Sequence, residues 1–384
     1  MLQCGNVWDG QSDTPLGPME ILVQDGKIAD MERKVARPVG AKIISLPNRT
    51  VTPGFTDCHA HMAFPRGGFA GFFTLSQAQV LLYSLKWLRQ TLLEGFTTVR
   101  DVAAAPMWNF VTIDMKQAIN QGLIVGPRMI VAPHGITATG GHGDMGNAMS
   151  YEVYSYLRWG TIADGPDEIQ KAVRADIKGQ EEMNILVRTA HDQGIPVAVH
   201  AYGDEGVKRA IIAGAESIEH GNMASPEALK MMEKKGTYLV PTQFCFEDAL
   251  VNLNNRAYWD VQPIWVYKKT VKYAPAVIEC AKNLAESKVK IAFGTDAGTF
   301  PTDGVSTCTW KEFPTMVKNG IDPLRALKAA TSTAAELLRR PDLGTLAVGK
   351  TADIIAMPGD PFKDINVTGK VDFVMKEGKI YRGI

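Results

Sequence analysis

The 384-residue sequence predicts an α/β protein with a small accessory β domain. Short apolar runs alternate with amphipathic helices through the middle of the chain, a pattern typical of parallel strands joined by helical crossovers. The two ends of the chain carry matching hairpin signals. A chain of this length is sufficient for one large α/β domain and a smaller one.

The two ends share one local pattern. Each contains an apolar run interrupted by an acidic residue and a glycine, at residues 21–28 and again at 373–380. Both runs predict β-hairpins. We therefore expect residues 1–52 and 344–384 to pair into one composite β-sandwich domain, which leaves residues 53–343 for the larger domain.

Seven parallel strands are predicted in the larger domain, separated by helices such as those expected at residues 76–93 and 204–213. The strands end near His59, Asp101, Pro133, His200, His220, Pro241 and Asp296. The alternation fits a barrel or a doubly wound sheet, and we predict a (β/α)8 TIM barrel.

One strand is missing from this pattern. Residues 167–178 and 181–193 both have helical signals, with no strand between them. A closed barrel needs eight strands, so the fourth strand is absent near residues 178–181. We infer that the sequence lacks a segment of roughly 20–30 residues, the size of a strand and its loop. An unusual fold is the alternative.

The composition argues against several classes of partner. Lys plus Arg and Asp plus Glu number 41 each, so no net charge favours nucleic acid or an anionic membrane. The five cysteines are scattered, which argues against a disulfide framework or a thiolate zinc cluster. No apolar run is long enough to span a membrane. We expect a cytoplasmic protein with a small-molecule substrate, or a secreted or periplasmic protein if a signal peptide has been removed.

Four of the seven histidines end predicted parallel strands. His59 and His61 are two residues apart on one strand, so their side chains project to the same face. His200 and His220 end strands separated by one helix, and Asp296 ends another strand. Active sites of barrels are built at this end of the strands, which favours a functional cluster. The alternative for Asp296 is an N-cap of the following helix.

Imidazole and carboxylate groups are the ligands that zinc prefers. A bound zinc ion lowers the pKa of its water from about 15.7 toward about 7, which supplies hydroxide at neutral pH. Asp296 could take the proton of that water and later pass one to a leaving amine. The cluster therefore predicts metal-dependent hydrolysis.

Several segments resemble the amidohydrolase superfamily along the whole chain. They are residues 51–61 (VTPGFTDCHAH), 95–101 (GFTTVRD), 200–203 (HAYG), 217–221 (SIEHG), 294–298 (GTDAG) and 344–353 (GTLAVGKTAD). The motif TGGHGD at residues 139–144 is similar to that of the metal-dependent carboxypeptidases, prolidase-like dipeptidases and ochratoxin amidases.

This resemblance implies a binuclear zinc centre. His59, His61 and Asp296 would bind one ion, His200 and His220 the other, and a carboxylated lysine would bridge both. That lysine belongs on the fourth strand, which the sequence lacks, and the nearest lysine, Lys178, lies at the end of a predicted helix. The bridging ligand is therefore not identifiable. Relatives are often oligomers, which implies a homo-oligomer by analogy.

Candidate substrate-binding residues lie in the loops that follow the strands. Glycines flank His142, which makes a core position unfavourable, and the resemblance implies that His142 polarises the scissile carbonyl or holds the substrate. His134 and Tyr202 are further candidates, with simple packing as the alternative. Arg66 or Arg128 could pair with a substrate carboxylate, although a solvated surface position is the simpler expectation.

The favoured function is metal-dependent hydrolysis of an amide or peptide bond in a small N-acyl amino acid or dipeptide, including ochratoxin-like aryl amides. One alternative is a cyclic-amide or imidazolone-type hydrolase or a deaminase. An alternative of another class is a catalytically impaired barrel that acts as a binding or scaffold protein, as the missing strand would allow.

Overall fold

A computed structural model describes residues 1–64, 74–103, 110–144, 160–165, 168, 182–260, 264–298 and 307–383, without the side chains of residues 182–185 and 265. Its helices are α1 (Gln77–Leu93), α2 (Val111–Asn120), α3 (Glu182–Asp192), α4 (Asp204–Ala213), α5 (Pro226–Lys235), α6 (Gln243–Val251), α7 (Arg256–Trp259), α8 (Ile264–Glu286), α9 (Glu312–Lys318), α10 (Pro323–Ala329) and α11 (Ser332–Leu337). None of these described helices is long and apolar enough to cross a bilayer.

Strands from both ends of the chain form one sheet. These are β1 (Leu2–Val7), β2 (Gly17–Gln24), β3 (Lys27–Glu32), β4 (Ile44–Pro53), β13 (Ile354–Pro358), β14 (Phe373–Lys376) and β15 (Lys379–Arg382). Their order is β15-β14-β13-β4-β1-β2-β3, and only β1 and β4 pair in parallel. The seven strands form one continuous sheet, and a two-layer sandwich remains a prediction.

The two predicted hairpins have the backbone that their sequences require. Asp25 and Gly26 both have positive φ, at 49° and 75°, and so do Glu377 and Gly378, at 52° and 74°. Two successive positive φ values define the type I′ turn, whose twist matches that of the flanking strands. The two turns also contact each other, because a Cβ placed on Gly378 would lie 3.0 Å from the Gly26 Cα.

The larger domain contains parallel strands in two groups. One group is β5 (Phe55–Ala60), β6 (Phe96–Val102) and β7 (Arg128–Ala132), and the other is β10 (Ala198–Gly203), β11 (Ser217–Met223) and β12 (Tyr238–Val240). Residues 291–297 join the groups through parallel bridges to β12 at Leu239 and to β5 at Ala60. The order is therefore β10-β11-β12-(291–297)-β5-β6-β7, and all seven segments end within three residues of the predicted positions.

The edges of β7 and β10 have no strand partner within the described ranges. The predicted gap in the barrel falls between these two edges. Residues 169–181, where the fourth strand is expected, lie outside the described residues, as does the helix predicted over most of 167–178. A further pair, β8 (Gly135–Thr137) and β9 (Gly160–Ile162), forms a separate two-stranded parallel sheet.

Aromatic side chains fill the domain at the beginning of its strands. Phe55 and Phe96 are the first residues of β5 and β6, and they pack with Phe293 and Phe313 at ring-centroid distances of 4.3 to 6.5 Å. All four side chains are fully buried. Large aromatic groups supply much of the burial that stabilises a core. This packing leaves the opposite, carboxyl ends of the strands for polar side chains.

Candidate metal centre

Three of the predicted ligands lie close together at the carboxyl ends of the strands. One ligand atom from each of His59, His61 and Asp296 lies within 4.8 Å of the others. The Asp296 Oδ1 atom is 3.2 Å from His61 Nε2 and 3.7 Å from His59 Nε2. All three are at least half-buried, so the group lies inside the domain and is not a surface cluster.

The other two predicted ligands border this group. The His220 ring centroid is 4.7 Å from that of His59 and 4.5 Å from that of His200. The His59 and His61 rings are 5.3 Å apart. The structure thus brings all five predicted side chains together, from β5, β10, β11 and the 291–297 segment.

Unusual backbone conformations direct two of these side chains. His220 and Asp296 both have positive φ, at 71° and 63°. Such a conformation costs about 1–3 kcal/mol in a residue other than glycine and is concentrated at functional sites. Gly294 allows the strand to approach β5, since a Cβ there would lie 2.2 Å from Val240 Cγ1 and 2.9 Å from His59 Cβ.

The Nδ1 atom of each of three imidazoles faces a protein oxygen. His59 Nδ1 is 2.8 Å from Glu219 Oε2, His61 Nδ1 is 2.8 Å from the Ala103 carbonyl oxygen, and His220 Nδ1 is 2.7 Å from Thr242 Oγ1. When Nδ1 carries the proton, the Nε2 lone pair is free to bind a cation. The partners of the three rings therefore favour the tautomer that a metal centre needs.

A buried ion pair between Arg100 and Glu219 contacts the Nδ1 side of the His59 ring. Arg100 on β6 donates from Nη2 to Glu219 Oε1 at 2.7 Å, and the Ser217 hydroxyl donates to the same oxygen at 2.5 Å. Arg100 also donates to the Cys58 carbonyl oxygen at 2.6 Å. Glu219 thus joins β11 to β5 and β6, which are not adjacent to it in the sheet.

Three of the predicted ligands, His200, His220 and Asp296, have the protonation state that cation binding needs, and His61, which must first lose a proton, is the exception. Burial lowers the pKa of His220 well below the usual value, and desolvation by the packed rings does the same for His200, whose side chain keeps an exposed surface. Neighbouring imidazoles lower both pKa values further. Burial also lowers the pKa of His61, but the hydrogen bond to Asp296 and its charge outweigh this effect and raise the pKa to about 9. For Asp296, burial raises the pKa, and the hydrogen bond from His61 with the charge of His59 bring it below its usual range. A carboxylate and neutral imidazoles are the forms that bind metal.

The donor set fits a borderline divalent cation. Four imidazoles and one carboxylate converge, and the described residues place neither a thiolate pair nor an excess of carboxylates beside them. This is the chemistry that zinc prefers over calcium or magnesium. His59, His61 and Asp296 could hold one ion, and the adjacent rings of His200 and His220 could hold a second.

Two of the predicted substrate-binding residues stack on the predicted ligands. The His142 ring lies 4.1 Å from that of His200 with an interplanar angle of 22°, and Tyr202 stacks on His220 at 4.7 Å and 9°. His134 contacts Phe110, with ring centroids 4.9 Å apart. Arg66 lies outside the described residues, as does Lys178.

The suggestion that Arg128 binds a substrate carboxylate is wrong. Arg128 lies at the beginning of β7 and is 8% exposed. Its guanidinium donates to Asp353 Oδ2 at 2.7 Å and to Glu377 Oε1 at 2.6 Å. Those carboxylates belong to the terminal sheet, so Arg128 joins the two parts of the chain at the end remote from His59.

Sequence analysis missed four residues that support the centre. They are Arg100, Glu219, Thr242 and Cys245, whose thiol lies 3.7 Å from Asp296 Oδ2. A charged residue inside a strand that was predicted to be buried was the available signal for Arg100 and Glu219. Thr242 and Cys245 carry no such signal, because the contacts come from distant parts of the chain.

Comparisons with known proteins agree with this geometry. A model of the amidohydrolase family matches residues 50–381. Ochratoxinase from Aspergillus niger is 28% identical over an alignment of 410 residues, which covers 95% of this chain and 82% of that protein. Imidazolonepropionase from Treponema denticola is 26% identical, with 94% of this chain and 91% of that protein covered.

A solved structure is also similar over its whole length. The crystal structure of a Xaa-Pro dipeptidase with bound methionine superposes with a TM-score of 0.89 at 34% identity, and the match covers 100% of this chain and 99% of that chain. The similarity supports a TIM-barrel-like α/β fold with an additional sheet.

Proposed function

This chain belongs to the amidohydrolase family and is an enzyme, and from that premise we propose that it cleaves the amide or peptide bond of a small N-acyl amino acid or dipeptide. The convergence of His59, His61 and Asp296 is the observation that carries this proposal. Membership of an enzyme family sets aside the alternative of a non-catalytic scaffold. The similarity to an ochratoxinase extends the candidate substrates to aryl amides of amino acids.

The proposed centre holds zinc. His59, His61 and Asp296 would bind one ion, and His200 and His220 a second. A bound zinc ion supplies a Lewis acid and makes water a nucleophile near neutral pH. The chain's own contribution is to hold Nε2 of His59, His61 and His220 toward the centre through the Nδ1 contacts of these rings.

Asp296 is the proposed general base and acid. Its carboxylate lies beside His61 Nε2, and its lowered pKa keeps it ionised at neutral pH. In that state it can accept a proton from the attacking water. The same carboxyl can then return the proton to the leaving nitrogen, which departs as a neutral amine.

His142 and Tyr202 are the proposed contacts to substrate. Partial desolvation lowers the pKa of His142, which keeps an exposed surface, so its ring is uncharged at neutral pH and can donate one hydrogen bond to the scissile carbonyl oxygen. Although Tyr202 is 36% exposed, desolvation and the charge of Asp296 raise its pKa above the usual value, which keeps its hydroxyl protonated as a second donor. Arg66 and His134 remain candidates for binding the rest of the substrate.

The bridging lysine and fourth strand are proposed to be absent from this sequence. The alignment with ochratoxinase spans 410 positions, more than the 384 residues of this chain, so this chain has no residue at some of them. This supports a missing segment. An intact mass equal to that of the 384 residues, together with a metal content of two ions, would contradict the need for that segment.

The proposed domain organisation is a composite β domain of residues 1–52 and 344–384 and a hydrolase domain of residues 53–343. The chain is proposed to form a homo-oligomer by analogy with relatives. Size-exclusion chromatography with light scattering would test the oligomer, and a monomer at micromolar concentration would count against it.

Substrate and catalytic centre can be tested together. Zinc-loaded protein should release free amino acid from a panel of acyl-phenylalanine and acyl-proline compounds. Asp296→Asn should abolish this release while the protein stays folded. Asp372→Asn, which alters only an ion pair with Arg49 in the terminal sheet, is the matched control. No turnover of any panel member would count against the proposal.

The second candidate is hydrolysis of a cyclic amide or an imidazolone. The similarity to imidazolonepropionase over 94% of the chain favours keeping it. Turnover of such rings without release of amino acids from the linear panel would replace the first proposal by this one.

A further inference from the structure

Thr242 precedes helix α6 and holds a predicted metal ligand. Its hydroxyl is 2.7 Å from His220 Nδ1, and both residues are almost completely buried. Thr242 has φ 44°, a left-handed conformation that a β-branched residue rarely adopts. Contacts with neighbouring residues must therefore stabilise Thr242 in this conformation.

Thr242 stands at the N-cap of α6 without capping it. A threonine at this position normally accepts a hydrogen bond from one of the first free N–H groups of its helix. The side chain of Thr242 makes no such bond, because its hydroxyl faces His220. The first N–H groups of α6 need another acceptor, since an unsatisfied buried donor is unfavourable.

Glu312, the first residue of α9, supplies that acceptor. Its Oε1 accepts from the Gln243 N–H at 2.9 Å and its Oε2 from the Phe244 N–H at 2.6 Å. The Gln243 side chain is tied to the same helix, because Asn319 Nδ2 donates to its Oε1 at 3.1 Å. Helix α9 thus holds the beginning of α6 at several points.

The surroundings of Glu312 offer its carboxyl group little stabilisation apart from the two hydrogen bonds to α6. The residue is completely buried, and the described residues offer it no ion pair. Burial raises the pKa of this carboxyl, and only the two backbone N–H groups lower it. Burying an acid costs free energy unless it is hydrogen-bonded, so the two bonds to the beginning of α6 are what stabilise Glu312 in this position.

We propose that Glu312 is a positioning residue for the metal centre. By capping α6 from a different helix, it leaves the Thr242 hydroxyl free to fix the ring of His220. This inference rests on the proposed function, because it needs a cation at His220. Partners of metal-binding histidines typically change metal affinity by 10–100-fold.

A double-mutant cycle tests the coupling. Apparent Co2+ and Zn2+ affinities are measured by chelator competition, with the Co2+ absorption spectrum as a second readout, for Glu312→Gln, Thr242→Val and the double variant. Each single variant should lose about tenfold or more in affinity. The double variant should bind no more weakly than Thr242→Val, because both changes act on one ring. Thr242→Ser keeps the hydroxyl and should retain wild-type affinity.

Glu94→Gln is the matched control, since Glu94 is another buried carboxylate that accepts a backbone N–H, from Thr307, away from the centre. It should leave affinity and spectrum unchanged. Glu312→Asp keeps both acceptor oxygens and replaces Glu312→Gln in the cycle if the latter does not fold. Its loss of metal affinity should be smaller. Wild-type affinity in a folded Glu312 variant, or losses that multiply in the double variant, would overturn the inference alone. Failure of the wild type to bind either ion would overturn it together with the proposed function.

Discussion

Replacing Glu219 by glutamine tests how the protein holds His59. In the native arrangement Glu219 accepts from Arg100 and faces His59 Nδ1. A glutamine has one acceptor oxygen, which Arg100 and Ser217 would occupy, so its NH2 group would face His59. The ring would then have to present a bare Nδ1 atom to that group. Its proton would move to Nε2, the atom that points toward Asp296.

This substitution should lower both the metal affinity and the stability of the protein. Metal affinity should fall by 10–100-fold, about 1.4–2.7 kcal/mol, because His59 would bind only in its less stable tautomer. Breaking a buried ion pair typically costs about 3–5 kcal/mol. We expect the low end of that range, about 3 kcal/mol, because Arg100 keeps its hydrogen bonds to the Cys58 carbonyl and the Ser217 hydroxyl.

Chelator competition measures the affinity, and guanidinium unfolding of the metal-free protein measures stability. Glu336→Gln is the matched control, since Glu336 forms an exposed ion pair with Lys290. Its effect on stability should be within about 1 kcal/mol, with no effect on affinity. Unchanged metal affinity in folded Glu219→Gln would refute the role assigned to this contact.

Three further predictions concern the framework and the protonation of the centre. Gly294→Ala should prevent metal binding, because its Cβ would overlap Val240 and His59; metal content after purification checks this. Arg128→Met should lower the free energy of unfolding by about 3–5 kcal/mol with metal affinity unchanged, since it leaves the buried Asp353 carboxylate without its cation far from the centre; denaturant titration would show it. The pKa of His61 is raised to about 9, so the metal-free protein should lose stability as the pH rises from about 6.5 through about 9. Zinc affinity should increase over the same range, because the proton on His61 competes with the ion. Calorimetry at several pH values measures the stability, and chelator competition measures the affinity.

The part of the site that lies on strand ends could be predicted from the sequence. Histidines two residues apart on a strand share a face, and carboxyl ends of parallel strands meet, so His59, His61 and Asp296 were expected together. The hairpin at Asp25-Gly26 was predictable for a similar reason, because its conformation depends on neighbouring residues alone. Both are consequences of local periodicity.

The supporting contacts could not be predicted in this way. Glu219 reaches across to β5, and Glu312 caps a helix 69 residues earlier in the chain, so neither contact leaves a local pattern. Arg128 was taken for a possible substrate-binding residue because a single arginine gives no indication of its burial. The structure assigns it to the junction with the terminal sheet.

The central claim is that a cation binds where the strands end. Anomalous diffraction at the zinc absorption edge, from crystals of zinc-loaded protein, tests it most directly. The account predicts a peak about 2.0–2.1 Å from Nε2 of His59 and of His61 and in contact with the Asp296 carboxylate. Fully occupied zinc bound only elsewhere, with no peak between these three side chains, would contradict it.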